Sequence, residues 1–403
     1  PFGKKRADIA PLTVDTYFNV MRGIRLKVDY DKRVETDLWF DGRPPNLKLA
    51  RGEVTIGTGK ATLRDLPGAR ISGQFKSLEW VDWKPVINEL SQYNKAEQSE
   101  GLEWLESFHS VSLKIDDIDF LKQHYHGVEL YGHQLPDHVW SVVMKEPDVS
   151  ADLKYSPEQN ALSGSITSMT FPVPKSLADD ASEEYTQASY KPEQLPSLNL
   201  KVGALKIGDV NAGQLLIKGK PSGKHSWHLE KGELKSNAYN IKVNGDWLEN
   251  PRPMTDVNAR VQINNLENAL AHWNVSPVVE ARDGNINMDV SWDDAPTDFS
   301  LKAITGKLHI SFKDGRITNL SPEMEKKIGL GKLLSILSLQ TIPRRLKLDF
   351  SDLAKPGYSF DRFDGNFVLA HGILATEDSA IDGPVAGATM KGSLDIDKHL
   401  YDI

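Results

Sequence analysis

Four histidines lie close together in the sequence, at His124, His126, His133 and His138. On a strand, His124 and His126 would point to the same face, and two imidazoles at that spacing are able to hold zinc or copper. The alternative is a polar strand face and turn, because the segment 87 residues further along, residues 211–219, contains no histidine. His124 and His126 are therefore weak candidates for metal ligands, and we predict no metal or other cofactor.

Two pairs of adjacent carboxylates, Asp116-Asp117 and Asp293-Asp294, are the candidates for acid–base catalysis. The second pair stands in the run WDDAP, which is typical of a turn because Asp side chains bind nearby backbone N–H groups. The sequence contains no G-x-S-x-G, P-loop or H-E-x-x-H motif. Its zero cysteines exclude a cysteine nucleophile and a thiolate zinc site. We therefore predict that the protein is not an enzyme.

The composition also narrows the class of partner. The 403 residues carry a net charge of −8, which argues against a nucleic-acid binder built on a basic patch. The longest apolar-rich stretch, residues 328–342, is interrupted by glycines and polar residues, so no segment is predicted to span a bilayer. Since the chain begins at Pro1 without a signal-like segment, we expect an anchor or targeting signal to lie outside it.

The dominant local pattern is alternation of apolar and polar residues, which predicts mainly antiparallel β structure. In residues 305–313, Leu308, Ile310 and Phe312 share one face of a strand. The following Asp314-Gly315 predicts a tight hairpin turn. The same pattern recurs at residues 346–350, 367–369 and 390–396, and earlier in the chain at 54–56 and 162–166.

Few helices are predicted. Asp82 and Asn265 are possible N-caps for short helices ending near Leu90 and His272. The clearest start signal, Ser-Pro-Glu at 321–323, predicts a helix over about 322–339. Long loops are expected near 94–101 and at 172–196, where prolines and acidic residues exclude an ordinary strand.

A repeat of strand-rich segments is predicted at an offset of 87 residues. At that offset, apolar positions 111–120 fall on apolar positions 198–207. Gly132 and Trp140 likewise fall on Gly219 and Trp227. Because tryptophan occupies only 9 of 403 positions, these matches indicate a repeated structural unit.

The C-terminal hundred residues carry the most specific motifs. These are LSILSLQTIPRRLKLDFSDL (334–353), GYSFD (357–361), FDGNF (363–367) and DGPVA (382–386), with WDDAPTDF (292–299) upstream. Together they resemble the AsmA-like family, in particular the C-terminal region of its large YhdP-type members from Gram-negative bacteria.

This resemblance implies an elongated, curved antiparallel sheet of repeated strands that encloses an apolar groove, as part of a periplasmic protein anchored in the inner membrane. Residues 1–300 would form the repeated groove segment and residues 301–403 the AsmA-like C-terminal region. Family members are thought to move phospholipid between the inner and outer membranes. The implied partners are phospholipid and an outer-membrane or envelope protein, with membrane contact through an N-terminal anchor outside this chain.

Alternating strands give one apolar and one polar face, and we expect acyl chains to cover the apolar one. The residues predicted to line the groove are Leu308, Ile310, Phe312, Leu346, Leu348, Phe350, Phe367 and Leu369. The helix at 322–339, with Leu333, Leu334, Ile336 and Leu337, is predicted to close the groove end. Arg344 and Arg345 would contact either the C-terminal carbonyls of that helix or a headgroup phosphate.

Two alternatives to a lipid carrier stay open. The same alternation suits a closed β-sandwich that serves as a lipid-free envelope scaffold or partner-binding module. A carbohydrate-binding protein would use exposed tryptophans with a carboxylate pair.

Overall fold

Strands dominate the protein. The computed structural model describes residues 9–19, 23–44, 46–79, 107–120, 123–146, 149–171, 191–250, 252–273, 275, 279–296, 302–317, 358–384, 387–395 and 400–402. The chain divides into two compact units, Pro1–Phe171 and Pro172–Ile403. Within the described ranges, no helix is long and apolar enough to cross a membrane.

The first unit contains ten strands in its described part. They are β1 (Leu12–Asn19), β2 (Gly23–Tyr30), β3 (Val34–Arg43), β4 (Asn46–Gly57), β5 (Gly68–Glu79), β6 (Phe108–Phe120), β7 (Gln123–Gln134), β8 (Trp140–Lys145), β9 (Ser150–Ser156) and β10 (Ala161–Phe171). Each strand pairs with the next along the chain, antiparallel except that β4–β5 and β5–β6 are parallel.

A parallel pair of strands needs a crossover connection rather than a hairpin. Glu53 of β4 binds both the connection to β5 and β5 itself. Its carboxylate accepts hydrogen bonds from the Thr62 backbone N at 2.9 Å and the Thr62 hydroxyl at 3.0 Å. Arg70 of β5 donates to it at 2.8 Å and Ser72 at 2.9 Å. Burial alone raises the pKa of Glu53, but these hydrogen bonds outweigh burial and lower the pKa to about 2.

The second unit is a purely antiparallel succession in its described part. Its strands are β11 (Ser197–Ile207), β12 (Val210–Gly223), β13 (Ser226–Lys235), β14 (Tyr239–Leu248), β15 (Met254–Ile263), β16 (Val279–Trp292), β17 (Thr305–Ile317), β18 (Tyr358–Ala370), β19 (Ile373–Asp382), β20 (Gly387–Asp395) and β21 (Leu400–Asp402). Each again pairs with the next. The predicted mainly-β, antiparallel class is therefore confirmed.

The helix predicted after Asn265 is present as α1 (Leu266–His272). The Asn265 side chain accepts a hydrogen bond from the Asn268 backbone N at 2.8 Å, as an N-cap does. Leu266 and Ala269 are buried against the sheet. The helices predicted near 82–90 and 322–339 lie outside the described residues, as do the loop at 94–101 and most of that at 172–196.

The predicted hairpin turn at Asp314-Gly315 is wrong. β17 continues through both residues to Ile317, with Asp314 at φ 49° as a local irregularity inside the strand. Gly315 is required there because a Cβ would overlap the ring of Phe360 on the neighbouring strand. Here Asp-Gly allows the Phe360 ring to pack closely against the backbone inside a strand, and it does not end the strand.

The strand register places residues matched at the 87-residue offset in corresponding positions. Gly132 lies opposite Val111, and Gly219 lies opposite Leu198. In each copy the tryptophan of the next strand lies beside the glycine: a Cβ on Gly132 would be 3.6 Å from the Trp140 ring, and one on Gly219 would overlap Trp227. The glycine thus lies beside an aromatic ring in both units, but only at Gly219 does the ring occupy the space that a Cβ would need.

Candidate functional site

One face of the second unit carries a row of directly opposed aliphatic side chains, one from each of seven neighbouring strands. This aliphatic row consists of Val202, Leu215, Leu234, Ile241, Val261, Ile286 and Ile310. At strand spacings of about 4.8 Å, the row extends for roughly 29 Å across the sheet. We call the side of β11–β20 that carries this row the apolar face.

A second row runs beside the first on the same face. Met288, Leu308 and Phe367 are directly opposed across β16, β17 and β18. Toward β12 the row continues through Ala259, Val243, Gly232 and Ile217. The apolar face is therefore several side chains wide as well as seven strands long.

The opposite face is polar in the same register. One residue along each strand from the aliphatic row, Glu233, Lys242, Arg260, Asn287 and His309 are directly opposed. Ion pairs also form across this side of the sheet, where Lys218 and Lys220 each contact Glu230 at 2.8 Å. A slip of one residue in the strand register would move these charged side chains to the other face. Their alignment across five strands therefore identifies the apolar face.

The apolar face is not fully enclosed. Val202 is buried, whereas the other six residues of the aliphatic row are only partly buried. Leu308 and Phe367 are also partly buried, while Leu369 is buried. A contiguous apolar surface that stays partly exposed is typical of a ligand or partner site.

Aromatic residues fill the face where β17 and β18 meet. Phe312 lies opposite Phe363, and their rings stack with centroids 6.3 Å apart and an interplanar angle of 27°. On the other side of Phe312, Gly284 leaves space that a Cβ would take from the ring. Phe363 was not among the predicted groove residues, although it shares the alternation of Phe367.

The two ends of the strands differ in what borders the apolar face. At one end, α1 packs onto Tyr239, Ile263 and Ala281. At the other end, Trp227, Trp247 and Trp292 form a band, joined through Thr255, which lies opposite both Trp247 and Trp292.

These tryptophans are buried rather than displayed. Their relative exposures are 8%, 6% and 9% for Trp227, Trp247 and Trp292. Trp227 Nε1 donates to the Pro196 carbonyl at 3.1 Å and Trp292 Nε1 donates to the Ala295 carbonyl at 3.0 Å. The band therefore does not present the exposed rings on which a sugar would stack.

Five of the predicted groove residues are brought together by the structure. Leu308, Ile310 and Phe312 of β17 share the apolar face with Phe367 and Leu369 of β18. The remaining predicted residues lie outside the described part of the chain: Leu333, Leu334, Ile336, Leu337, Arg344, Arg345, Leu346, Leu348 and Phe350.

Among the described residues, the candidate metal and acid–base groups form isolated pairs rather than a cluster. His126 Nδ1 lies 2.5 Å from Asp117 Oδ1, which is an ordinary cross-strand pair. The side chain of His124 is outside the described set, and the described residues contain no group of three or more potential ligands. Asp293 contacts Arg252 at 3.3 Å, in the turn that follows β16.

Comparison with known proteins identifies the family of this chain. The family described as YhdP protein matches residues 1–403, and the chain belongs to that family. The chain is also similar to the intermembrane phospholipid transporter YhdP of Escherichia coli (strain K12), with 25% identity over 169 residues. That match covers 42% of this chain and 13% of the relative, so the chain spans a small part of the relative's length. No solved structure matches the chain.

Proposed function

We propose that this chain is a lipid-carrying segment of a periplasmic, inner-membrane-anchored transporter, and that its apolar face holds phospholipid acyl chains. The observation that carries the proposal is the aliphatic row, which continues across seven strands and stays partly exposed. Membership of the YhdP family and the similarity to the E. coli intermembrane phospholipid transporter support phospholipid as the cargo.

The physical basis of the proposed lipid binding is the burial of acyl chains against similar aliphatic side chains on successive strands. Each methylene moved from water onto an apolar surface contributes about 0.8 kcal/mol, so two acyl chains are held firmly. Because neighbouring strands present similar aliphatic side chains, a lipid that moves by one strand exchanges one set of contacts for an equivalent one. The lipid then meets only small free-energy barriers as it moves along the aliphatic row. Its headgroup stays in contact with water at the edge of the apolar face.

The proposed activity breaks no covalent bond. Transfer along an apolar track needs no nucleophile, general base or cofactor, so we propose a non-enzymatic carrier. Delivery toward the outer membrane would require an outer-membrane or other envelope protein at the receiving end.

The proposal is tested by native mass spectrometry with lipid extraction on the purified chain. We expect co-purified phospholipid, and we expect Ile310→Glu to lose it, because a carboxylate at the β17 end of the aliphatic row, beside Leu308 and Phe312, faces the acyl chains. Ser311→Glu is the matched control, since the same substitution one residue along points to the polar face.

Both variants should keep the strand-rich circular dichroism spectrum of the parent. A parent chain that stays lipid-free after incubation with phosphatidylglycerol liposomes would refute the proposal. Equal lipid loss in Ile310→Glu and Ser311→Glu, with both folded, would refute the assignment of the face.

A further inference from the structure

A cavity of about 560 Å³ opens at the strand ends beside α1. We call it the rim cavity. It is lined by residues from the β11–β12 region, from the end of β13 with its turn into β14, and from α1. Ala238, which lines it, also belongs to the apolar cluster under α1, whereas Gln214 and Lys235 are directly opposed in the polar-face register, so the cavity lies where the two faces meet at the strand ends.

The lining of the rim cavity is rich in hydrogen-bond donors. Asn211, Gln214, Asn237 and Asn268 contribute side-chain amides, and Lys235 contributes an ammonium group. None of the ten lining residues is a carboxylate. A site with one cation, several amide donors and no acid matches a singly charged group with several acceptor oxygens.

Two of the donors, on Lys235 and Asn211, are available to a ligand. Among the described residues, Lys235 makes no ion pair, although its neighbours on the polar face, Lys231 and Glu233, pair with each other at 2.8 Å. The Asn211 Oδ1 atom accepts from the Gly213 backbone N at 3.1 Å, which turns the Nδ2 amide into the free donor of that side chain.

The wall of the cavity is also fixed in position. His272 Nε2 donates to the Asn211 carbonyl at 2.6 Å and so ties α1 to β12. Tyr239 donates from its hydroxyl to the Ala212 carbonyl at 2.9 Å. Its ring stacks on Trp273 with centroids 6.4 Å apart. A pre-formed wall of this kind lowers the entropy cost of binding.

We propose that the rim cavity is a binding site for a phosphate group, either the phosphodiester of a lipid headgroup or a soluble phosphate ester. The lipid form of the proposal rests on the proposed function, because acyl chains on the apolar face would bring a headgroup to the strand ends. A phosphodiester carries one negative charge, which Lys235 balances, and its oxygens accept from the surrounding amides.

The lipid form is tested by offering the chain equal amounts of dioleoylphosphatidylglycerol and dioleoylglycerol and measuring the bound ratio by native mass spectrometry. These lipids share their acyl chains and differ in the phosphate-containing headgroup. We expect a preference of about tenfold for the phospholipid, the size of a charge-assisted hydrogen bond. Lys235→Gln and Asn268→Ala should bring the ratio toward one without reducing binding of dioleoylglycerol.

Lys242→Gln is the matched control, because it removes the same charge from an exposed position on the next strand, outside the cavity. A parent chain that binds both lipids equally would overturn the headgroup assignment and leave acyl binding intact. Equal effects of Lys242→Gln and Lys235→Gln would overturn it as well.

A second arm uses glycerophosphoglycerol, the soluble phosphodiester that remains when both acyl chains are removed from phosphatidylglycerol, and follows the backbone amide NMR signals of residues 236–238. Amide shifts that saturate in the parent and vanish in Lys235→Gln support a phosphate site. They do so even if the chain binds neither lipid, because the lack of lipid binding would refute only the proposed function. The absence of such shifts together with the absence of phospholipid preference overturns the phosphate site altogether.

Discussion

Phe312 and Phe363 stack across β17 and β18 with their ring centroids 6.3 Å apart. The two residues are directly opposed in the strand register, and both lie on the apolar face. The pair forms part of an apolar cluster with the buried Phe360 and Ile381. It therefore joins the sequence-predicted groove residues of β17 to the core of the C-terminal strands.

Replacement of Phe363 by alanine should destabilise the second unit. The change removes the ring contact with Phe312 and leaves space beside Ile381, which is expected to cost about 2 kcal/mol because the ring is only partly buried. Chemical denaturation followed by circular dichroism measures the loss. Val368→Ala is the control on the same strand, since that side chain is 52% exposed; an equal effect of the two substitutions would contradict the packing described.

The glycine–tryptophan contact occurs in both units, but a Gly→Ala substitution should lower stability by different amounts in the two. Gly219→Ala should destabilise strongly, by about 2 kcal/mol, because its methyl group would overlap the Trp227 ring in a packed cluster. Gly132→Ala should cost less, since its Cβ would meet Trp140 at an ordinary contact distance of 3.6 Å. Thermal unfolding of the two variants compares them, and a larger effect at Gly132 would reverse the prediction.

Glu53 should make the stability of the first unit depend on pH in the acid range. The pKa of its carboxyl falls from 4.5 to about 2 on folding. A pKa depressed in the folded state stabilises that state above the unfolded pKa, and the stabilisation is lost as the pH falls from about 4.5 toward 2. We expect a contribution on the order of 2 kcal/mol at neutral pH.

Urea unfolding of the parent and of Glu53→Gln at several pH values tests this prediction. Glu53→Gln should be less stable at neutral pH and should lose less stability on acidification than the parent. Glu158→Gln, at an exposed turn position, serves as control. Parallel pH profiles for the parent and Glu53→Gln would show that the crossover does not depend on this carboxylate.

The N-cap of α1 offers a local test of how the strand ends are closed. Asn265→Ala removes the acceptor for the Asn268 backbone N and should cost about 1 kcal/mol. Asn265→Asp keeps an acceptor at the same position and should restore most of the loss. Hydrogen exchange of the α1 amides is the measurement, and exchange that is unchanged in Asn265→Ala would mean that packing alone holds the helix.

Much of the fold follows from local patterns in the sequence. Alternation placed Leu308, Ile310 and Phe312 on one face because side chains on a strand alternate with a period of two. The Asn265 cap was recognisable because its side chain satisfies a backbone N–H that no other group reaches. The 87-residue repeat was visible because Gly132 and Gly219 each face a large tryptophan ring.

Other features depend on strand neighbours and could not be derived from one segment. Asp314-Gly315 resembles a hairpin turn locally, and only the Phe360 ring on β18 explains why a glycine lies inside a strand. The parallel pairing of β4, β5 and β6 has no local signature, since the strands alternate as antiparallel ones do. The rim cavity brings together Asn211, Lys235 and Asn268, which are far apart in the chain and carry no recognisable motif.

The most direct test of the central claim places a photoreactive benzoylphenylalanine at Ile310 and, in a separate variant, at Ser311. The two positions are adjacent on β17 but face opposite sides of the sheet. After irradiation of the full-length protein in cells, we expect phospholipid adducts at position 310 and none at position 311. Adducts at both positions, or at position 311 alone, would contradict the claim that acyl chains lie on the apolar face.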